Sequence, residues 1–151
     1  MTTSSIDSAV AELRAFLTGD MDTWRRLHGT QDSDAKGAFA ILLTTACSKA
    51  VENRFGKQPS AEDIIDFVSD ARVRTIGPDT VPAEDAEKVL RATPGHEDLL
   101  TSMNARDRAG AQTAMLYALT HETDESQNQV DDLLAHAVEV TAAYLRQRAA
   151  R

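Results

Sequence analysis

Cysteine occurs once, at Cys47, so no intrachain disulfide can form and a multi-cysteine zinc site is excluded. Aromatic residues make up only 5% of the chain. The core must therefore come mostly from Leu, Val, Ile, Ala and Met, which suits helix-on-helix packing better than a sheet. No apolar run reaches the ~18 residues of a membrane span, and Met1-Thr2-Thr3-Ser4-Ser5 lacks the basic start and apolar stretch of a signal peptide. These absences predict a cytoplasmic chain with no membrane partner. Positive charge is short as well, with 16 Lys and Arg against 24 Asp and Glu and a net charge of −8. A surface of that sign repels nucleic acid.

What is present is helix. Among the 151 residues, 24 are alanine, the strongest helix former, and helical periodicity recurs in nearly every segment while no stretch alternates apolar and polar residues for long. The length predicts one all-α domain over residues 1–151, a compact, irregular or orthogonal bundle of about seven to eight helices, with residues 1–4 a disordered tail. Ile6, Ala9, Val10, Leu13, Phe16 and Leu17 form the stripe of a first helix that stops near Gly19. A short second helix starts at Asp20, carries Trp24 and Leu27, and ends at Gly29.

Three long core helices are expected near 34–55, 106–120 and 126–148. The first, capped by Ser33 or Asp34, presents Phe39, Leu42, Leu43, Ala46, Cys47, Ala50 and Val51 on one face and stops at Gly56. The second is apolar almost all round, from Ala111 to Leu119. The third gathers Val130, Leu133, Leu134, Ala137, Val138, Val140, Thr141, Tyr144 and Leu145 in one broad arc and ends in arginines, as a helix dipole favours. Between them, Ser60 caps a helix with Ile64, Phe67, Val68 and Ala71 inside, closed by Gly77-Pro78. Pro82 opens another that buries Ala86, Val89 and Leu90 and ends at Thr93-Pro94-Gly95, and Leu99, Leu100 and Met103 continue on a further turn or two.

The run through Phe55-Gly56, Pro59-Ser60-Ala61-Glu62-Asp63-Ile64-Ile65-Asp66-Phe67-Val68, Ala71-Arg72 and Ala86-Glu87-Lys88-Val89-Leu90-Arg91-Ala92 resembles small, uncharacterised all-helical proteins of actinobacteria. The resemblance spans about the middle half of the chain. It implies a helical fold and brings no catalytic residue or cofactor with it.

Motifs that would carry chemistry fail on spacing. Asp32-Ser33-Asp34-Ala35-Lys36-Gly37 imitates the start of a calcium loop, but the twelfth position, which must be a bidentate acid, is Leu43. The histidines at 28, 96, 121 and 136 form no HExxH or Glu-x-x-His pair. Asp132, His136 and Glu139 share one side of the last helix, an arrangement met more often as a solvated charge patch than as a metal site. Gly56-Lys57 lacks the other parts of a phosphate loop, there is no Gly-x-Ser-x-Gly elbow, and Cys47 sits among apolar residues as an inert thiol would. A helix-turn-helix around Gly77 would set Glu84, Asp85 and Glu87 against phosphates. No cofactor is implied.

Two features remain. Glu122, Asp124, Glu125, Asp131, Asp132 and Glu139 occur with no Lys or Arg between positions 121 and 139, either a solubilising face or a docking surface for a basic protein partner. Gly110, Ala114 and Ala118 put a small residue at every fourth position, which lets another helix approach closely, from this chain or from a second copy in a homodimer. The sequence thus favours a non-enzymatic, acidic helical interaction or regulatory module. The alternative is a small-molecule sensor with an apolar cavity between helices, lined by Trp24, Phe39, Met115 and Tyr117.

Overall fold

The computed structural model describes residues 3–74, 81–92, 98–122 and 126–150. They are all-α. Eight helices follow one another: α1 (Thr3–Leu17), α2 (Met21–Thr30), α3 (Ser33–Phe55), α4 (Ala61–Arg74), α5 (Ala83–Arg91), α6 (Asp98–Thr101), α7 (Ala105–Thr120) and α8 (Ser126–Ala149), with no strand among the described residues. The three longest, α3, α7 and α8, begin and end within one residue of the spans expected from periodicity. Met1 and Thr2 of the expected tail, the helix stops at Gly77-Pro78 and Thr93-Pro94-Gly95, and the acids Asp124 and Glu125 lie outside the described residues, while Thr3 and Ser4 are already helical.

Local chemistry sets the helix ends. Gly19, at φ +81°, closes α1: its N–H donates to the Phe16 carbonyl at 3.2 Å and that of Asp20 to Ala15 at 2.9 Å, the paired bonds of a Schellman stop. Gly56, at φ +82°, ends α3 with one bond from its N–H to the Glu52 carbonyl at 2.8 Å. Asp20 and Ser60 cap as the sequence suggests, accepting from Thr23 N–H at 3.3 Å and Asp63 N–H at 3.1 Å. Two ends differ. The cap of α3 is Asp32, which accepts from Ala35 N–H at 2.8 Å, in place of Ser33 or Asp34. Helix α2 runs one residue past Gly29, whose backbone is not left-handed, to Thr30.

The chain divides into two compact units, one of residues 1–46 and 123–151 and the other of residues 47–122. In the first, α1 packs on α2 and α8. Its buried residues include Ile6, Ala9, Leu13 and Leu17 of α1, Leu42 and Leu43 of α3, and Val130, Leu133, Leu134 and Ala137 of α8. Val10, Phe16 and Phe39, expected inside, are half-buried. In the second, α5 packs on α4, α6 and α7. Ile64, Phe67, Val68, Ala71, Ala86, Val89 and Leu90 are buried as expected, and α7 buries Ala111, Ala114, Met115, Leu116, Ala118 and Leu119. A helix covered on several sides in this way needs apolar residues around most of its circumference.

Candidate functional site

The described acids of the expected docking surface differ in their surroundings. Glu122, in the second unit, accepts from Arg54 Nε with both carboxylate oxygens, at 2.9 and 3.1 Å. The Arg54 guanidinium lies 4.8 Å over the ring of Phe55, which meets Phe67 edge-on at 5.6 Å. In the first unit Asp131 of α8 is paired with Arg14 of α1. Glu122 and Asp131 are thus tied into their own units, while Asp132 and Glu139 are exposed. His136, between them, is half-buried, and among the described residues no group of three or more His, Cys, Asp or Glu is placed to hold a metal ion.

The small-residue row is split in the same way. Ala114 and Ala118 are buried, whereas Gly110 is exposed and a Cβ added there would meet nothing within 4 Å. Among the described residues no helix of this chain closes on Gly110, so the glycine is not needed for an intramolecular approach.

A cleft of ≈ 370 Å³ opens in the second unit. Phe67, Asp70, Ala71 and Arg74 of α4 form one side, and Ala118, His121 and Glu122 at the end of α7 the other. Asp70 is paired with Arg74 at 2.9 Å, and Glu122 with Arg54. His121 stacks on Tyr117 at 3.9 Å and 18°, and its Nδ1 lies 2.8 Å from the Tyr117 carbonyl. A carbonyl only accepts, so Nδ1 carries the hydrogen and Nε2 is the remaining polar atom of the ring. The cleft therefore offers compensated ion pairs, one imidazole and one aromatic wall. No Ser, Thr, Cys or Lys is among its described lining residues to serve as a nucleophile. Trp24, Phe39, Met115 and Tyr117, the residues expected to line an apolar cavity, do not line it: Met115 is fully buried in the second unit, and the other three are half-buried. Cys47 is buried, and burial pushes its thiol up to about 12, so it stays protonated.

Sequence reasoning missed a second polar arrangement. Among the described residues Glu12 is the only charged side chain that is buried, 2% exposed, and its Oε1 lies 3.0 Å from Nδ1 of His28 on α2. The His28 ring stacks on Trp24 at 4.8 Å and 16°. Burial raises the Glu12 carboxyl above its ordinary range, and the His28 hydrogen bond, the His28 charge and Lys36 oppose that rise. A signal was present in the sequence, because Glu12 stands three residues after Ala9 and four before Phe16, at the spacing of the buried stripe.

No protein-family model, curated protein or solved structure matches this chain.

Proposed function

We propose that this chain is a non-enzymatic helical interaction module that docks a protein partner along the C-terminal half of α8. The observation that carries this reading is the exposure of Val140, 40%, and Tyr144, 49%, one turn apart on α8. Leu133 and Ala137, on the same stripe further up the helix, are buried. Thr141, between them, is fully buried, so Val140 and Tyr144 stand at the border of the intramolecular cover, and such an apolar border is what a partner's side chains can cover in helix-mediated recognition. Tyr144 suits an anchor, with a large apolar ring and a hydroxyl that stays wet until docking. Exposed charges of both signs border this half of the helix, Glu139 on one side and Arg146 and Arg148 beyond Tyr144, and suit a partner whose rim carries charges of both signs. The described cleft of the second unit, where two ion pairs stand beside Phe67, Ala71 and Ala118, is not the apolar cavity that the small-molecule reading expects.

The test is site-specific photocrosslinking from position 144 of the full chain in its host, with the exposed Asn53 as the control position. A defined partner captured from 144 and not from 53 supports the module. Capture that is equal at both positions, or none, contradicts it. Sedimentation of the purified chain over a range of concentrations separates a second copy from a different protein.

A further inference from the structure

Charges are segregated along α8. Glu139 is the last acid of the chain, no Lys or Arg occurs in residues 109–145, and Arg146 and Arg148 follow. Glu139, Arg146 and Arg148 are exposed, and among the described residues none of them is in an ion pair. The exposed Val140 and Tyr144 stand between Glu139 and Arg146. A helix dipole favours acids before bases, but it calls for no apolar residues between them. Thr141, fully buried, lies on the far side of the helix from Glu139, so the flank left open is the one that carries Glu139 and Arg146.

We infer that the occupant of this face is a second copy of the chain, its α8 antiparallel to the first about a two-fold axis between Ala142 and Ala143, an assignment that rests on the docking reading of α8. A two-fold interface is self-complementary, so each contact occurs twice with the roles exchanged. An axis that reverses the helix also sets each flank of α8 against the same flank of the copy. Glu139 and Arg146 are seven residues apart, which puts them on one flank within about 20° of each other. The antiparallel copy therefore brings its Arg146 level with Glu139, and its Glu139 level with Arg146, at the two ends of one contact. In that register Val140 stands within about 1.5 Å along the axis of Tyr144 of the copy. Ala143, half-buried and small, lets the two backbones approach between them. A parallel copy would set Glu139 against Glu139. With a net charge of −8, two copies repel over most of their surface, and self-contact is favoured where exposed arginines stand near a single acid, as they do at this end of α8.

Sedimentation equilibrium of the purified full chain, up to about 1 mM, tests the pairing. The antiparallel dimer predicts a reversible monomer–dimer equilibrium that Tyr144→Ser weakens. Glu139→Arg and Arg146→Glu, both at exposed positions that leave the fold intact, each place like charges together at both ends of the contact and should weaken self-association by about tenfold or more. An equimolar mixture of those two variants should recover the dimer, because every pair across the mixed contact is again of opposite sign. A parent that is monomeric at every concentration overturns the second copy, and a different protein captured from position 144 then leaves the docking reading standing. A dimer indifferent to Tyr144→Ser lies on another face and overturns the inference. A mixture that associates no better than either variant alone overturns the antiparallel pairing.

Discussion

The buried carboxylate of Glu12 on α1 finds its hydrogen-bond partner sixteen residues on, in His28 of α2, at 3.0 Å. Removing His28 leaves the buried Glu12 carboxyl without its hydrogen-bond partner. His28→Ala should therefore destabilise the fold by about 1–3 kcal/mol. The loss should be greater at pH values where Glu12 is ionised than where it is protonated. Urea denaturation at several pH values checks this, and an equal loss at all of them would place Glu12 in contact with water.

Glycines at two positions should respond in opposite ways. Gly110 lies inside α7 with open space where a Cβ would go, so Gly110→Ala should stabilise by about 0.5–1 kcal/mol. Gly19 is left-handed, at φ +81°, and Gly19→Ala should destabilise through backbone strain. Ala114, one turn further along α7 than Gly110, is buried, so Ala114→Leu should cost about 1–3 kcal/mol by overpacking. Thermal melts of the three variants read all of these signs.

The Arg54 and Glu122 pair is partly exposed, and pairs of that kind contribute little. A double-mutant cycle with Arg54→Ala and Glu122→Gln should give a coupling of about 0.2–1 kcal/mol, shrinking as salt is added. A coupling that salt does not change would mean that the pair is shielded from solvent.

Cys47 should not react with a thiol reagent in the native chain at mildly alkaline pH, and should react promptly once the chain is unfolded, because burial holds the thiol up at about 12. Fast native labelling would show that α3 opens around residue 47.

Helices were legible in the sequence because each carries its apolar residues at steps of three and four, and that spacing needs no knowledge of neighbours. Ile64, Phe67, Val68 and Ala71 could be placed inside for that reason. The cap of α3 was not settled, because Asp32, Ser33 and Asp34 are adjacent acceptors and only the backbone decides which reaches the N–H three residues on. On α8 the stripe shows which side of the helix is apolar but not how far its cover extends, so Val140 and Tyr144 read as core yet stand exposed. Glu12 was overlooked for the complementary reason. A polar residue is assigned to solvent by type, and its burial depends on a partner that only the packing of α2 supplies.

The most direct test of the interaction module is the affinity, by titration calorimetry, of the partner captured at position 144 for the parent chain and for Tyr144→Ser. Val73→Ser serves as the control, since Val73 is exposed on α4 in the other unit. Tyr144→Ser should weaken binding by about tenfold or more, as loss of an aromatic anchor does, while Val73→Ser should leave it unchanged. An affinity unaltered by Tyr144→Ser would contradict docking along α8.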